Sequence, residues 1–385
     1  MLSSPRLAGG GAGCGAVLGV PCVLFGRGTL WAPARAPEGA TRRGGRSARK
    51  SATRLEKEEQ SFYLGTNNPE DLYAIRRLLL TGLDQIPEIG EYLHRDVFDV
   101  AAKYGKDTFL SVLHLGTKRL PKLFAIKGLI DARLNKQNGN KNELFQYIST
   151  QALQWSESEK IKVDSVMQSI NKDIKHLMLN IDYPNSIFFI KTTGEEEGNA
   201  SGYTRSNCLI LNDETLIWGF QELKNIIIHE LFHIISRNNL SFREKMYEVI
   251  GFKVIKEISF PQSLIDYKVT NPDAPMINSY INLSNGEESK DYALITYSKK
   301  EFNGGSLFDY VTFGFIKLQD LNNGVKVPII YVDGDFTNFF EQIGNNTGYI
   351  IHPDEILADN FVFLLNENNN LPSQWVVDKM KLNLQ

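Results

Sequence analysis

Residue order along this 385-residue chain predicts an α+β fold. Three features carry that expectation. Helical periodicity dominates from about residue 55 to 180, short β-rich runs begin after Pro184, and two strongly patterned helices are set into the second half. An apolar fraction of 42% and a charged fraction of 23% are ordinary for a folded chain. The length is enough for two or three domains.

The first 54 residues stand apart. They carry nine Lys or Arg against one acid, Glu38, and hold eleven of the 31 glycines. Such a composition cannot bury a core and predicts disorder. It fits an organellar transit peptide, a secretory signal (Ala16–Phe25 is a short apolar run broken by Pro21), or a wrongly assigned start. Location stays open: cytoplasmic, or organellar if the basic segment is a transit peptide, with secretion not excluded. The remaining chain has 33 basic and 44 acidic residues, an acidic body that argues against nucleic acid as a partner. No run reaches the 18–20 apolar residues of a membrane span. Cys14 and Cys22 lie in the basic segment and leave Cys208 alone, so no disulfide is expected within the body.

Residues 55–180 form the expected helical region. Asn68-Pro69-Glu70 starts a helix carrying Leu72, Ile75, Leu79 and Leu83 at helical spacing. Further helices are expected over 97–104 and 108–115. Ser156 with Glu159 is a capping-box start for a helix to Met178. Residues 181–385 form the second domain. Ser186–Lys191, Tyr203-Thr204 and Cys208–Leu211 read as strands, and a helix follows from about Trp218 to Arg237, capped by Asp213. A β-rich insertion occupies about 254–340, and a last helix starts at Pro353.

The chemistry sits in His229-Glu230-Leu231-Phe232-His233. Residues four apart share a helix face, so the two imidazoles can meet one metal ion. Glu230 lies about 100° round the helix, where it can reach a water on that ion. The flanking Ile, Leu and Phe residues bury this helix, and buried polar groups without partners are costly. Glu355 and Asp359 lie four apart after Pro353. Glu355 can complete a four-coordinate zinc shell, leaving one position for water. Asp359 can accept a hydrogen bond from the outer nitrogen of a ligand histidine. Acids at 354 and 355 also suit an ordinary helix start.

This pattern of His-Glu-x-x-His with a distant Glu-x-x-x-Asp resembles the gluzincin group of zinc metallopeptidases, the thermolysin type. The resemblance implies a zincin-like catalytic domain with one Zn2+ on His229, His233 and Glu355. It makes Glu230 the general base and Asp359 the acid behind a ligand. A peptide or protein is then the substrate, hydrolysed by a zinc-activated water. The 122 residues between His233 and Glu355 exceed the thermolysin spacing and leave cleft and substrate class open. Tyr349 and His352 are candidate oxyanion donors or structural loop residues. The run Ala200–Tyr203 is a candidate edge strand for an extended peptide. His94, His114 and His176 read as structural, and Arg237 as a helix cap or an ion-pair partner. Two rivals remain: a non-catalytic zinc-stabilised binding protein, and a metal-free interaction protein with a chance motif. Oligomeric state is not legible.

Overall fold

The computed structural model describes residues 29–30, 60–63, 133–136, 139 and 141–385. Within that last span 185, 257, 259–267, 270, 285–287, 299–302, 306–308, 310, 321–325, 333–335 and 337 are excepted. The helices expected over 69–83, 97–104 and 108–115, with His94 and His114, lie outside the described residues.

In chain order the elements are β1 (Thr29–Leu30), β2 (Gln60–Tyr63), α1 (Lys141–Thr150), α2 (Glu157–His176), β3 (Ser186–Thr192), β4 (Gly202–Arg205) and β5 (Cys208–Asn212). Then come α3 (Phe220–Asn238), α4 (Leu240–Val249), β6 (Phe252–Val254), β7 (Lys268–Val269), β8 (Ser279–Ser284), β9 (Ser289–Ser298), β10 (Val311–Asp320) and β11 (Lys326–Val332). The chain closes with α5 (Phe339–Ile343), α6 (Pro353–Leu365) and α7 (Gln374–Leu384). This is a mixed α and β structure with two small sheets.

The first sheet runs β1-β5-β3-β2, with β4 antiparallel to β5 and the other pairs parallel. Two expectations change here. Phe62 lies in a strand, inside the region expected to be helical, because β2 pairs with β3 from Gln60 to Tyr63. Within the basic segment, Thr29-Leu30 lies beside Asn212 of β5, so those two residues join the sheet. The second sheet, β11-β10-β9-β8-β6 with β7 on β9, is built by the β-rich stretch between α4 and α5. Its strands are antiparallel, as short hairpin connections allow.

Local chemistry explains the helices. At α2 the Ser156 hydroxyl accepts from Glu159 N while the Glu159 carboxylate accepts from Ser156 N, satisfying two free donors at once. Val163, Val166, Ile170 and Ile174 form its buried stripe. Helix α3 begins at Gly219 rather than being capped by Asp213, and is buried on nearly every face from Leu223 to Ser236. It packs against α6, whose Phe361 meets Phe232 at 5.6 Å between ring centroids. Proline at the first position of α6 loses no helical hydrogen bond there. Cys208 is a buried free thiol, pushed up to about 12 by desolvation.

The corner between β3 and β4 is tied by buried charge. Arg133 and Arg205 both donate to Glu197. Beside them, Thr192 and Tyr203 hydroxyls donate to the buried Glu196 carboxyl. Burial outweighs those bonds and raises Glu196 from the usual carboxylate range to about 6. The folded chain therefore holds more proton than the unfolded one between about pH 4.5 and 6, and stability falls as pH rises through that window. The shift corresponds to ~2 kcal/mol. Glu196→Gln should remove that slope: urea titrations from pH 4.5 to 7 should show the variant gaining ~2 kcal/mol relative to the wild type. A constant difference across that range would place the Glu196 titration at its ordinary value.

Candidate metal centre

Helix α3 presents His229 and His233 one turn apart, and α6 brings Glu355 to them across 122 residues of sequence. Glu355 Oε2 lies 2.9 Å from His229 Nε2 and 3.4 Å from His233 Nε2. Ligand atoms on a tetrahedral zinc at ~2.0–2.1 Å stand about 3.3 Å from one another. The triad is thus near the spacing that one ion needs. His233 is fully buried and Glu355 is 1% exposed. His233 Nε2 makes no hydrogen bond of acceptable geometry among the described residues, and the same holds for Glu230 Oε2. Buried polar atoms left in this state call for a partner. Two imidazoles and a carboxylate are a donor set that suits zinc.

Each imidazole is oriented from behind. His229 Nδ1 donates to Asp359 Oδ1 at 3.0 Å, and His233 Nδ1 donates to Asp354 Oδ2 at 2.9 Å. Thr347 holds Asp359 by its hydroxyl, and Ser236 Oγ donates to Asp354 Oδ1 at 2.6 Å. These bonds fix the tautomer that leaves both Nε2 atoms facing Glu355. Asn271 donates to the other Glu355 oxygen, Oε1. Gly202 of β4 sits against Glu230: a Cβ there would lie 3.0 Å from Glu230 Oε1 and from Leu211. The missing side chain lets the strand pass close to this carboxyl.

The electrostatics follow from burial and pairing. Burial works against the His229 imidazolium, but the bonds to Asp359 and Glu355 outweigh it and raise the group to about 10. His233 also rises, against its burial, chiefly through the Glu355 charge and its bond to Asp354. Burial would raise Glu355, yet the two histidines hold it well below the carboxylate range. Glu230 is pushed up to about 8, first by burial and then by the Asp273 charge. Without a cation the cluster is therefore held together by protons, which a metal ion would displace.

The two candidate donors separate. Tyr349 lies 6.2 Å from His229 between ring centroids, beside the cluster. His352 caps α6: its Nδ1 accepts from Asp354 N at 3.1 Å, and burial lowers it to about 4. That bond makes it a neutral capping residue. His176 is exposed on α2, 3.6 Å from Glu367. Arg237 donates to Ser206 O, Thr204 Oγ1 and Asp273 O. Sequence reading missed Asp354, Asn271 and Asp273. In the sequence Asp354 suits an ordinary helix start, and the neighbouring Glu355 is its signal.

Residues 61–183 match the family model described as D-lactate dehydrogenase, membrane binding. The quinone-dependent D-lactate dehydrogenase of Escherichia coli K12 is 53% identical over 81 residues, 21% of this chain and 14% of that protein. The quinone-dependent D-lactate dehydrogenase of Haemophilus influenzae is 52% identical over 83 residues, 22% of this chain and 14% of its own. That of Corynebacterium glutamicum is 40% identical over 78 residues, 20% and 14% respectively. The chain thus covers about one-seventh of each of these relatives. No solved structure matches.

These matches overturn the gluzincin metallopeptidase reading. The relatives are dehydrogenases, so the assignment as a hydrolase and protease falls, and a peptide substrate is unsupported. The zinc-stabilised binding protein offered as its alternative has no support either. The error has a physical origin: His-Glu-x-x-His fixes where donors stand on a helix and specifies no reaction. The edge-strand role of Ala200–Tyr203 rested on the peptidase reading and goes with it.

The donor geometry yields its own test. Asp354→Asn and Asp359→Asn should each weaken zinc binding by roughly 10–100-fold, since each frees one ligand imidazole. Competition with a chromogenic chelator measures this. Unchanged affinity in both variants would mean that the two acids do not orient ligands.

Proposed function

We propose that this chain works at a membrane surface, in the setting of quinone-linked D-lactate oxidation, and carries a divalent-cation centre in its second half. The single observation behind the membrane reading is the likeness of residues 61–183 to the membrane-binding part of D-lactate dehydrogenase. The oxidation itself belongs to the relatives' names and is carried here as the setting in which docking takes place. Physical chemistry of the matched segment supports docking. Residues 103–127 hold Lys103, Lys106, Lys118, Arg119, Lys122 and Lys127 against one acid, Asp107. Leu110, Leu113, Leu120, Leu123, Phe124 and Ile126 are interleaved with them. Basic and apolar residues in one short stretch suit an anionic lipid surface, with about 1 kcal/mol of attraction per Lys or Arg near it. Among the described residues no helix is long and apolar enough to cross a membrane.

The centre in residues 181–385, whose helix pair we take to be zincin-like, would hold one Zn2+ through His229, His233 and Glu355. When bound, zinc supplies a Lewis acid that lowers the pKa of a coordinated oxygen donor. Asp354 and Asp359 orient the imidazoles. Glu230 stands beside the imidazoles with Oε2 buried and without a hydrogen bond among the described residues, placed to take a proton from such a donor.

Vesicle sedimentation of the full chain tests the docking. It should bind phosphatidylglycerol vesicles, release them at high salt and ignore phosphatidylcholine. Replacing Lys118, Arg119, Lys122 and Lys127 by Gln should weaken binding at least ~10-fold. Equal binding to both lipids with no effect of the four substitutions would sink the reading.

A further inference from the structure

Helix α3 carries a second group of donors. Glu230 and His233 stand three apart on it, and Asp273 joins them from the loop before β8. Each offers one ligand atom, and these atoms all lie within 4.8 Å of one another. His233 belongs both to this group and to the one with His229 and Glu355. The two groups draw on different neighbours of α3. The first takes its carboxylate from α6. The second lies toward β4: a Cβ at Gly202 would stand 3.0 Å from Glu230 Oε1, and Asp273 Oδ1 accepts from Thr204 N at 2.5 Å and from Thr204 Oγ1 at 2.9 Å.

The second group is short of partners. Glu230 is 2% exposed, and its Oε2 makes no hydrogen bond among the described residues. His233 Nδ1 is committed to Asp354, and its buried Nε2 is likewise without a hydrogen bond there. The guanidinium groups nearby donate elsewhere. Arg237 donates to the Asp273 backbone carbonyl, Ser206 O and Thr204 Oγ1, and Arg205 donates to Thr204 O and Glu197. Two buried carboxylates beside an unused imidazole nitrogen are costly unless a cation joins them.

We propose that Glu230, His233 and Asp273 form a second cation position, which takes Mn2+ and is mutually exclusive with the position on His229, His233 and Glu355. An imidazole nitrogen offers one lone pair, so His233 Nε2 serves one ion at a time. One imidazole with two carboxylates is a harder donor set than two imidazoles with one carboxylate, and it suits manganese better. Zinc binds most such sets more tightly than manganese does, so the two positions differ in the ratio of the two affinities. The inference goes beyond the zinc reading and stands without it, because it needs neither His229 nor Glu355.

Binding of the two metals to the full chain reads the positions separately. Free Mn2+ is measured by its paramagnetic resonance signal, and zinc by competition with a chromogenic chelator. His229→Ala should weaken zinc binding roughly tenfold or more and leave Mn2+ affinity within about twofold. Asp273→Asn keeps an acceptor for Thr204 and should do the reverse. Glu230→Gln should agree with it, which guards against a local folding defect in either variant. His233→Ala should weaken both metals, and zinc should release Mn2+ from the wild type with one cation per chain at saturation. The proposal is overturned if the wild type takes up no Mn2+, if Mn2+ affinity ignores both Asp273→Asn and Glu230→Gln, or if it is lost in His229→Ala. Two cations held together on one chain would overturn the sharing of His233 and the proposal with it. Mn2+ binding that depends on Asp273 in a chain that takes up no zinc would support this position and sink the zinc reading alone.

Discussion

The structure of the second half turns on one electrostatic constraint: two imidazoles and three carboxylates converge where little water reaches. His229, His233, Asp354 and Glu355 are all buried, and Asp359 is partly so. Taking such groups out of water costs several kcal/mol per ion unless each finds a partner. They do so only while α3 and α6 stay in register, because every pair joins one helix to the other. Much of the remaining fold can be understood as holding that register. Phe232 and Phe361 fill the space between the helices. Asn346 donates to Asn360 of α6 and to Ser373 O before α7, fixing the approach to α6. Loss of one member would leave an uncompensated buried charge, so the seating of α3 on α6 depends on every member of the cluster.

What could be read from the chain alone follows the range of the interactions involved. The α2 capping box is written in Ser156 and Glu159, the start of α6 in Pro353, and the paired histidines in a spacing of four. Each is a local fact, fixed by helix geometry within one turn. Asp273 and Asn271 reach the same cluster from a loop that the β-rich stretch returns to it, and no spacing rule links them to His233. His352 illustrates a different loss. Its residue type suits a proton donor, and the hydrogen bond from Asp354 N takes Nδ1 for capping and leaves the ring hydrogen on Nε2.

Function was less legible than geometry. The motif lies in residues 229–359, while the likeness to known proteins lies in residues 61–183, where the sequence shows helical spacing. The matched stretch ends just before β3, so the residues that carry the kinship and those that carry the metal-type geometry do not overlap. A donor set constrains which ion can bind, and a basic stretch with interleaved apolar residues constrains which surfaces the chain can meet. Neither determines the reaction, which is how the spacing of donors on a helix pointed to an enzyme class that the matches overturn.

Charge distribution connects the two parts. Residues 184–385 carry 16 basic and 26 acidic side chains, while residues 103–127 carry six basic and one acidic. Against an anionic lipid surface the first group is repelled and the second attracted. Screening at physiological ionic strength limits both effects to about 8 Å. The basic stretch must therefore come nearly to contact in order to contribute, whereas the acidic part has no such need and gains by standing more than one screening length away.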